Sequence, residues 1–226
     1  MRSKQSGFTL VEIAIVLVII GLLLGGVLKG QELINSAKVK NMIGDFRTTS
    51  TFVYAYQDRF RALPGDDLGA VAHVGAAAAA TAIAGSAVGD GRINGTWNSA
   101  VNTNESFLFW EQVRRAGLAS GTTDLASPDY LPRNADGGLL GITGDRVLTT
   151  DVFPGTFYVC SAGIQGRIAR QIDTTMDDGN TSTGTVRVIG TVPENEASPA
   201  GLSTAATGTN ITVNDDAKRF TVCVAY

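Results

Sequence analysis

The hydrophobic pattern changes character twice along the first quarter of the chain. From Phe8 to Leu28 apolar residues follow one another on every side, interrupted by a single charge, Glu12. About 20 such residues span a bilayer as a helix. Beyond Leu28 the pattern becomes one-sided. Val39, Met42, Ile43, Phe46, Val53, Tyr56 and Phe60 recur at helical spacing, while Lys38, Lys40, Asn41, Asp45, Arg47 and Asp58 take the other side. No proline precedes Pro64. The two stretches predict one helix of about 53 residues, roughly 80 Å long at 1.5 Å per residue. Its first half suits lipid or other helices, and its second half suits packing on a globular domain.

After Phe60 the pattern is weaker. Ala62 to Asp67 (ALPGDD) stops the helix with Pro and Gly, and an Ala-rich tract from Gly75 to Gly85 fits a short helix or a surface loop. Val88 to Gly95 is turn-rich. Asp90 and Asn94 there lack the alternating ladder of a calcium loop, so a turn is expected. Glu105 to Leu118 predicts a helix capped by Asn104 and ended by Gly117, with Phe107, Trp110 and Val113 as a core stripe. Val147 to Phe153 and Thr156 to Cys160 predict a hairpin split by Pro154-Gly155, after a turn-rich stretch from Pro128 to Gly144. Ile164, Ile168, Ile172 and Met176 predict a second amphipathic helix ended by Asp177-Asp178-Gly179-Asn180. Thr185 to Val192, Ile211 to Val213 and Arg219 to Tyr226 read as strands, with residues 193 to 209 as loop. In the last strand Phe220, Val222 and Val224 alternate with Arg219, Thr221 and Cys223, the pattern of a half-buried edge.

Composition bounds the class. The chain has 226 residues with a net charge of −3, and 27 glycines against 17% charged residues foretell much loop and turn. No basic footprint points to nucleic acid. Arg2 and Lys4 precede the apolar run on its short side, which keeps the N-terminus cytoplasmic and exports the body. Cys160 and Cys223 then stand where disulfides form. An even pair reads as a bridge, with two buried free thiols as the alternative. The small residues after the run (Gly25, Gly26, Gly30) offer no A-x-A site for signal peptidase, and an ordinary anchor has no use for Glu12.

Gly7-Phe8-Thr9-Leu10-Val11-Glu12, followed by the unbroken apolar run, resembles the N-terminus of type IV pilins and of the pseudopilins of type II secretion systems. The resemblance implies cleavage after Gly7 by a prepilin peptidase, N-methylation of Phe8, and a Glu12 that meets the amino terminus of a neighbouring subunit. A carboxylate in apolar surroundings gains most when a cation neutralises it, and a new α-amino group supplies one. The implied fold is α+β and pilin-like: a long N-terminal helix, a long αβ connection and an antiparallel sheet. Residues 1–7 become a leader, 8–60 the spine helix with 8–28 in the membrane, and 61–226 an exported globular domain. The implied partners are further copies of the chain in a helical filament, the peptidase and methyltransferase, an inner-membrane assembly platform, and lipid before assembly. Localisation runs from the inner membrane to an extracellular filament. Many pilins carry a C-terminal cysteine pair, which favours the bridge. Gly21, Gly25, Gly26 and Gly30 suit close helix packing or local melting, and Lys29 stands where several pilins carry proline.

Catalysis finds little footing in this sequence. The only histidine, His73, sits in an Ala/Gly-rich segment, and no Ser-His-Asp or Cys-His set can be assembled. Asp173, Asp177 and Asp178 are the best metal or acid–base candidates, since Asp173 and Asp177 share one helix face. Helix-end turn chemistry is the plainer account of them. The resemblance keeps calcium in view, because some secretion-type relatives bind it in a C-terminal loop, although this spacing matches no standard loop. No other cofactor is expected. The expectation is a filament subunit, with a minor pilin or a pseudopilin as alternatives. A membrane-tethered enzyme or binding domain is the alternative from another class.

Overall fold

Helix α1, Leu10–Phe60, runs unbroken from the apolar stretch into the amphipathic one. The computed structural model describes residues 10–77, 87–190, 204–205 and 207–226. The chain divides into two units between Lys38 and Val39, so the second half of α1 belongs to the same unit as the body. Val39, Met42, Ile43, Phe46, Val53 and Tyr56 are buried there, at the positions the helical period picked out, and Phe60 is half-buried. The helix stops before Pro64, and Arg61 takes a left-handed φ of 56°, a conformation that costs a non-glycine residue roughly 1–2 kcal/mol.

Among the described residues the body has three further α-helices and one sheet: α2 (Ala70–Val74), α3 (Glu105–Arg115) and α4 (Gly166–Met176), with β1 (Leu140–Thr143), β2 (Tyr158–Gln165), β3 (Val186–Ile189) and β4 (Arg219–Ala225). The strands are all antiparallel in the order β1-β2-β4-β3. This is a mixed α+β architecture, a long N-terminal helix packed on a four-stranded antiparallel sheet, and it is consistent with a pilin-like fold.

Both faces of the sheet are covered. One face (Ile142, Val159, Val186, Val188, Phe220, Val222, Val224) joins a core cluster with α1, α3 and α4. The other face (Tyr158, Cys160, Ala162, Ile189, Cys223, Ala225) packs under Trp97, Val147, Leu148 and Phe153. Strand alternation assigns β2 residues to the two faces in turn. The register then shifts between Ser161 and Ile164, where Gly163 has φ 68°. The extra residue of this bulge reverses the parity, so Ile164 rejoins the first cluster opposite Phe220 instead of the second.

Four expectations need correction. The hairpin partner of β2 is Leu140–Thr143, inside the stretch expected to be turns, and not Val147 to Phe153. Val147, Leu148 and Phe153 spend their apolar side chains covering the far face of the sheet, with one parallel bridge from Leu148 to Ala205. Strand β4 is central and buried along both faces, because that cover hides the side expected to meet water. Ile164 belongs to β2, so α4 starts at Gly166 and keeps Ile168 and Ile172 as its buried stripe. Val213–Asp215 is a 3₁₀ turn with a capping box from Thr212 and Asp215, not a strand. Part of the Ala-rich tract and much of the loop expected at 193 to 209 lie outside the described residues.

Candidate functional site

Within Leu10–Ile34 the usual rule of burial is inverted. Large apolar side chains from Leu10 to Ile34 are between 45% and 89% exposed, and the helix is long and apolar enough to cross a membrane. Glu12 is the one charge on the described helix before Lys29. At Gly21, Gly25, Gly26 and Gly30 an added Cβ would meet nothing within 4 Å. Those glycines therefore leave open strips along a continuous helix, of the kind that lets a second helix approach closely. Lys29 pairs with Glu32 one turn on, at 2.6 Å. Gly7 and Phe8 lie outside the described residues.

The body reverses this arrangement. Every residue of α3 from Glu105 to Arg114 is buried, charged ones included. Each buried polar side chain holds a loop. Glu105 Oε2 accepts the Asn94 N–H (2.7 Å), Gln112 Oε1 accepts the Gly65 N–H (2.6 Å), and Glu111 Oε1 accepts from Ala77 N–H and Arg115 Nε. Arg114 donates to the carbonyls of Ser120, Thr122 and Tyr130 and lies over the Trp110 and Tyr130 rings. The aromatic stripe Phe107, Trp110, Val113 is core, as its spacing implied. The clamps were not visible in the sequence, because a charged residue on a helix ordinarily reads as its solvated side.

A second network surrounds Ala62 to Asp67. Asp66 accepts the N–H groups of Gly89 and Gly91, which ties the helix stop to the turn-rich Val88 to Gly95 segment. That segment is a turn: Asp90 accepts from Arg92 N–H and from Asn94 Nδ2. Burial, then the nearby charges of Asp66 and Asp90, push the Glu105 carboxyl up to about 7 against the opposing Asn94 N–H bond. Asp67 Oδ2 accepts from the Tyr56 hydroxyl and from His73 Nδ1, both at 2.7 Å, and His73 stacks on Phe60. His73 is thus a pin between α2, the turn and the end of α1, at the rim of an open cavity of about 470 Å³. The acidic pair directly after Pro64-Gly65 was the signal that could have found this network.

The structure brings the other predicted residues together. Cys160 and Cys223, directly opposed on β2 and β4, form a disulfide with Cα atoms 4.1 Å apart. Asp173, Asp177 and Asp178 each place one carboxylate oxygen within 4.8 Å of the others. Asp173 is fully buried, and neither of its oxygens has a hydrogen-bond partner. Burial, followed by the charges of Asp177 and Asp178, raises its carboxyl to about 6. The Gly179 N–H opposes that rise without making a hydrogen bond of ordinary geometry.

Residues 2–28 match the family model of the prokaryotic N-terminal methylation motif, the prepilin signature of type IV pilins. The motif supports membership in the pilin-like and pseudopilin class, and it implies processing by a prepilin peptidase and pilus assembly in general. Curated proteins and solved structures yield no match to the chain.

Proposed function

We propose, from the methylation motif at residues 2–28, that this chain is a structural subunit of a type IV pilus-type filament. In this reading the precursor sits in the inner membrane with its N-terminus in the cytoplasm. A prepilin peptidase cuts after Gly7, and Phe8 becomes the methylated first residue. An assembly platform then moves the helix from lipid into the filament core. The observation that carries the reading is the exposed apolar surface of Leu10 to Ile34, with Glu12 as its one charge before Lys29. Such a surface needs lipid or other helices around it. Glu12 sets the register by meeting the amino group of a neighbouring copy, and the glycine strips let helices pack closely. The body supplies the outer, solvent-facing layer and takes no catalytic part.

Three variants expressed with the peptidase test this. Gly7→Trp is expected to keep the leader, and Glu12→Ala and Glu12→Lys to be cut normally but to yield few filaments. Continued loss of the leader mass in Gly7→Trp would contradict the proposed cut, and a normal filament yield from the Glu12 variants would contradict the pairing.

A further inference from the structure

The negative end of α4 is crowded with charge of its own sign. A helix C-terminus carries partial negative charge and ordinarily attracts Lys, Arg or His. The last turn of α4 has no basic residue, and three carboxylates converge there instead. Arg187 gives its Nε to the Gly184 carbonyl, and its guanidinium stands 4.0 Å from Asp151.

The three carboxylates are not held alike. Asp177 Oδ2 accepts the N–H groups of Thr185 (2.5 Å) and Val186 (2.9 Å), which ties the helix end to the start of β3. Asp178 accepts the Asn180 N–H (2.8 Å) and the Thr183 hydroxyl (3.0 Å). Gly184 closes over Asp177, and a Cβ there would run into the carboxylate. Asp173 alone has no donor at hydrogen-bond geometry for either oxygen, the Gly179 N–H acting on it only from outside that geometry, although it is the one removed from water. A buried carboxylate without a partner is costly. This one stands in a cluster where Asp177 Oδ2 and Asp178 Oδ1 are held by backbone N–H groups and Asp178 Oδ2 by the Thr183 hydroxyl.

We propose that Asp173, Asp177 and Asp178 form a calcium site that joins the C-terminal end of α4 to the β3 edge of the sheet. All three donors are hard oxygens. Oxygens within 4.8 Å of one another fit around a single Ca²⁺, whose bonds of about 2.3–2.6 Å set opposite ligands about 5 Å apart. Backbone carbonyls and water complete the shell. Three carboxylates with no complete calcium loop around them place the affinity at the weak end of calcium modules, roughly 10⁻⁴–10⁻³ M. The cation closes the loop from Asp177 to Gly184 on the strand that leads toward residue 191. The site stands on the geometry of the body alone and is independent of the filament reading.

The test uses the full chain in detergent, stripped with EDTA and titrated with CaCl₂ by calorimetry, with thermal unfolding in parallel. The expected result is one Ca²⁺ per chain. Calcium at about ten times Kd should raise Tm by about 3–5 °C, and Asp173→Asn should abolish both effects. Asp178→Asn, at an exposed position, should weaken binding at least about tenfold without loss of fold, which keeps the test decisive if Asp173→Asn misfolds. Absence of binding heat in the wild type would overturn the proposal. Calcium binding that survives both substitutions would also overturn it, since the ion would then sit elsewhere.

Discussion

Leu10 to Lys38 and the unit that begins at Val39 depart from the ordinary rule of burial in opposite senses, the first by exposing apolar side chains and the second by burying charged ones. In the first, Leu17 and Leu24 are 64% and 60% exposed. In the second, Glu111 and Asp173 are fully buried. The contrast teaches where each part finds its partners. The body finds them in its own chain: the buried acids and Arg114 of α3 fasten loops, and two apolar clusters cover both faces of the sheet. Among the described residues of its unit, the apolar half of α1 has no such cover, and in the proposed function lipid or neighbouring helices supply it.

Truncation should separate the two regions most sharply. Trp97 and Trp110 are both buried in the body, so tryptophan fluorescence in denaturant reads that unit. Phe109→Ala should cost the body about 3–5 kcal/mol through the cavity it leaves. Leu17→Ala should cost it less than about 0.5 kcal/mol while lowering filament yield. Equal losses from the two would erase the contrast.

The disulfide comes next. It closes a loop of 63 residues in the body, and joint replacement by Cys160→Ala and Cys223→Ala should lower body stability by about 4 kcal/mol. Helix content from Leu10 to Ile34, followed by circular dichroism in detergent, should not change. An unchanged denaturation midpoint would show that β2 and β4 are held by packing alone.

The smallest of the three effects concerns Glu105. Its folded carboxyl titrates at about 7 against an ordinary 4.5. Below about pH 4.5 both folded and unfolded states hold the proton. Between 4.5 and 7 the folded state keeps a proton that the unfolded state releases, so stability falls as pH rises through that window. The cost is complete above about 7 and reaches an order of 3 kcal/mol at most. Glu105→Gln retains an acceptor for the Asn94 N–H and should flatten the fall in stability between pH 5 and 8. An unaltered pH profile in that variant would mean the charge is not confined as described.

The sequence made some of this architecture legible and hid the rest for physical reasons. The spine helix, α3 and its stop at Gly117 (φ 74°) were readable, because a helical period and a left-handed glycine are local signals. The nearness of Asp173 and Asp177 at the end of α4 followed from their i, i+4 spacing, whereas the approach of Asp178 depends on the turn after the helix. Strand β1 was not, since Leu140-Gly-Ile-Thr143 is strand only by pairing with β2. The central place of β4 was hidden because it comes from pairing with both β2 and β3, and its burial on both faces because the segment covering its far face lies about seventy residues upstream. The polar clamps of α3 were hidden because their partners are backbone groups of loops that no local pattern places nearby.

The most direct test of the central claim is mass spectrometry of material sheared from cells, reading the abundance of this chain and its N-terminal peptide. The account predicts an abundant chain that begins at methylated Phe8. A processed but scarce chain would move the assignment to a minor pilin, and a processed chain confined to the envelope would move it to a pseudopilin. An envelope-bound chain that still carries Met1 to Gly7 would contradict the account and leave the apolar helix as an anchor only.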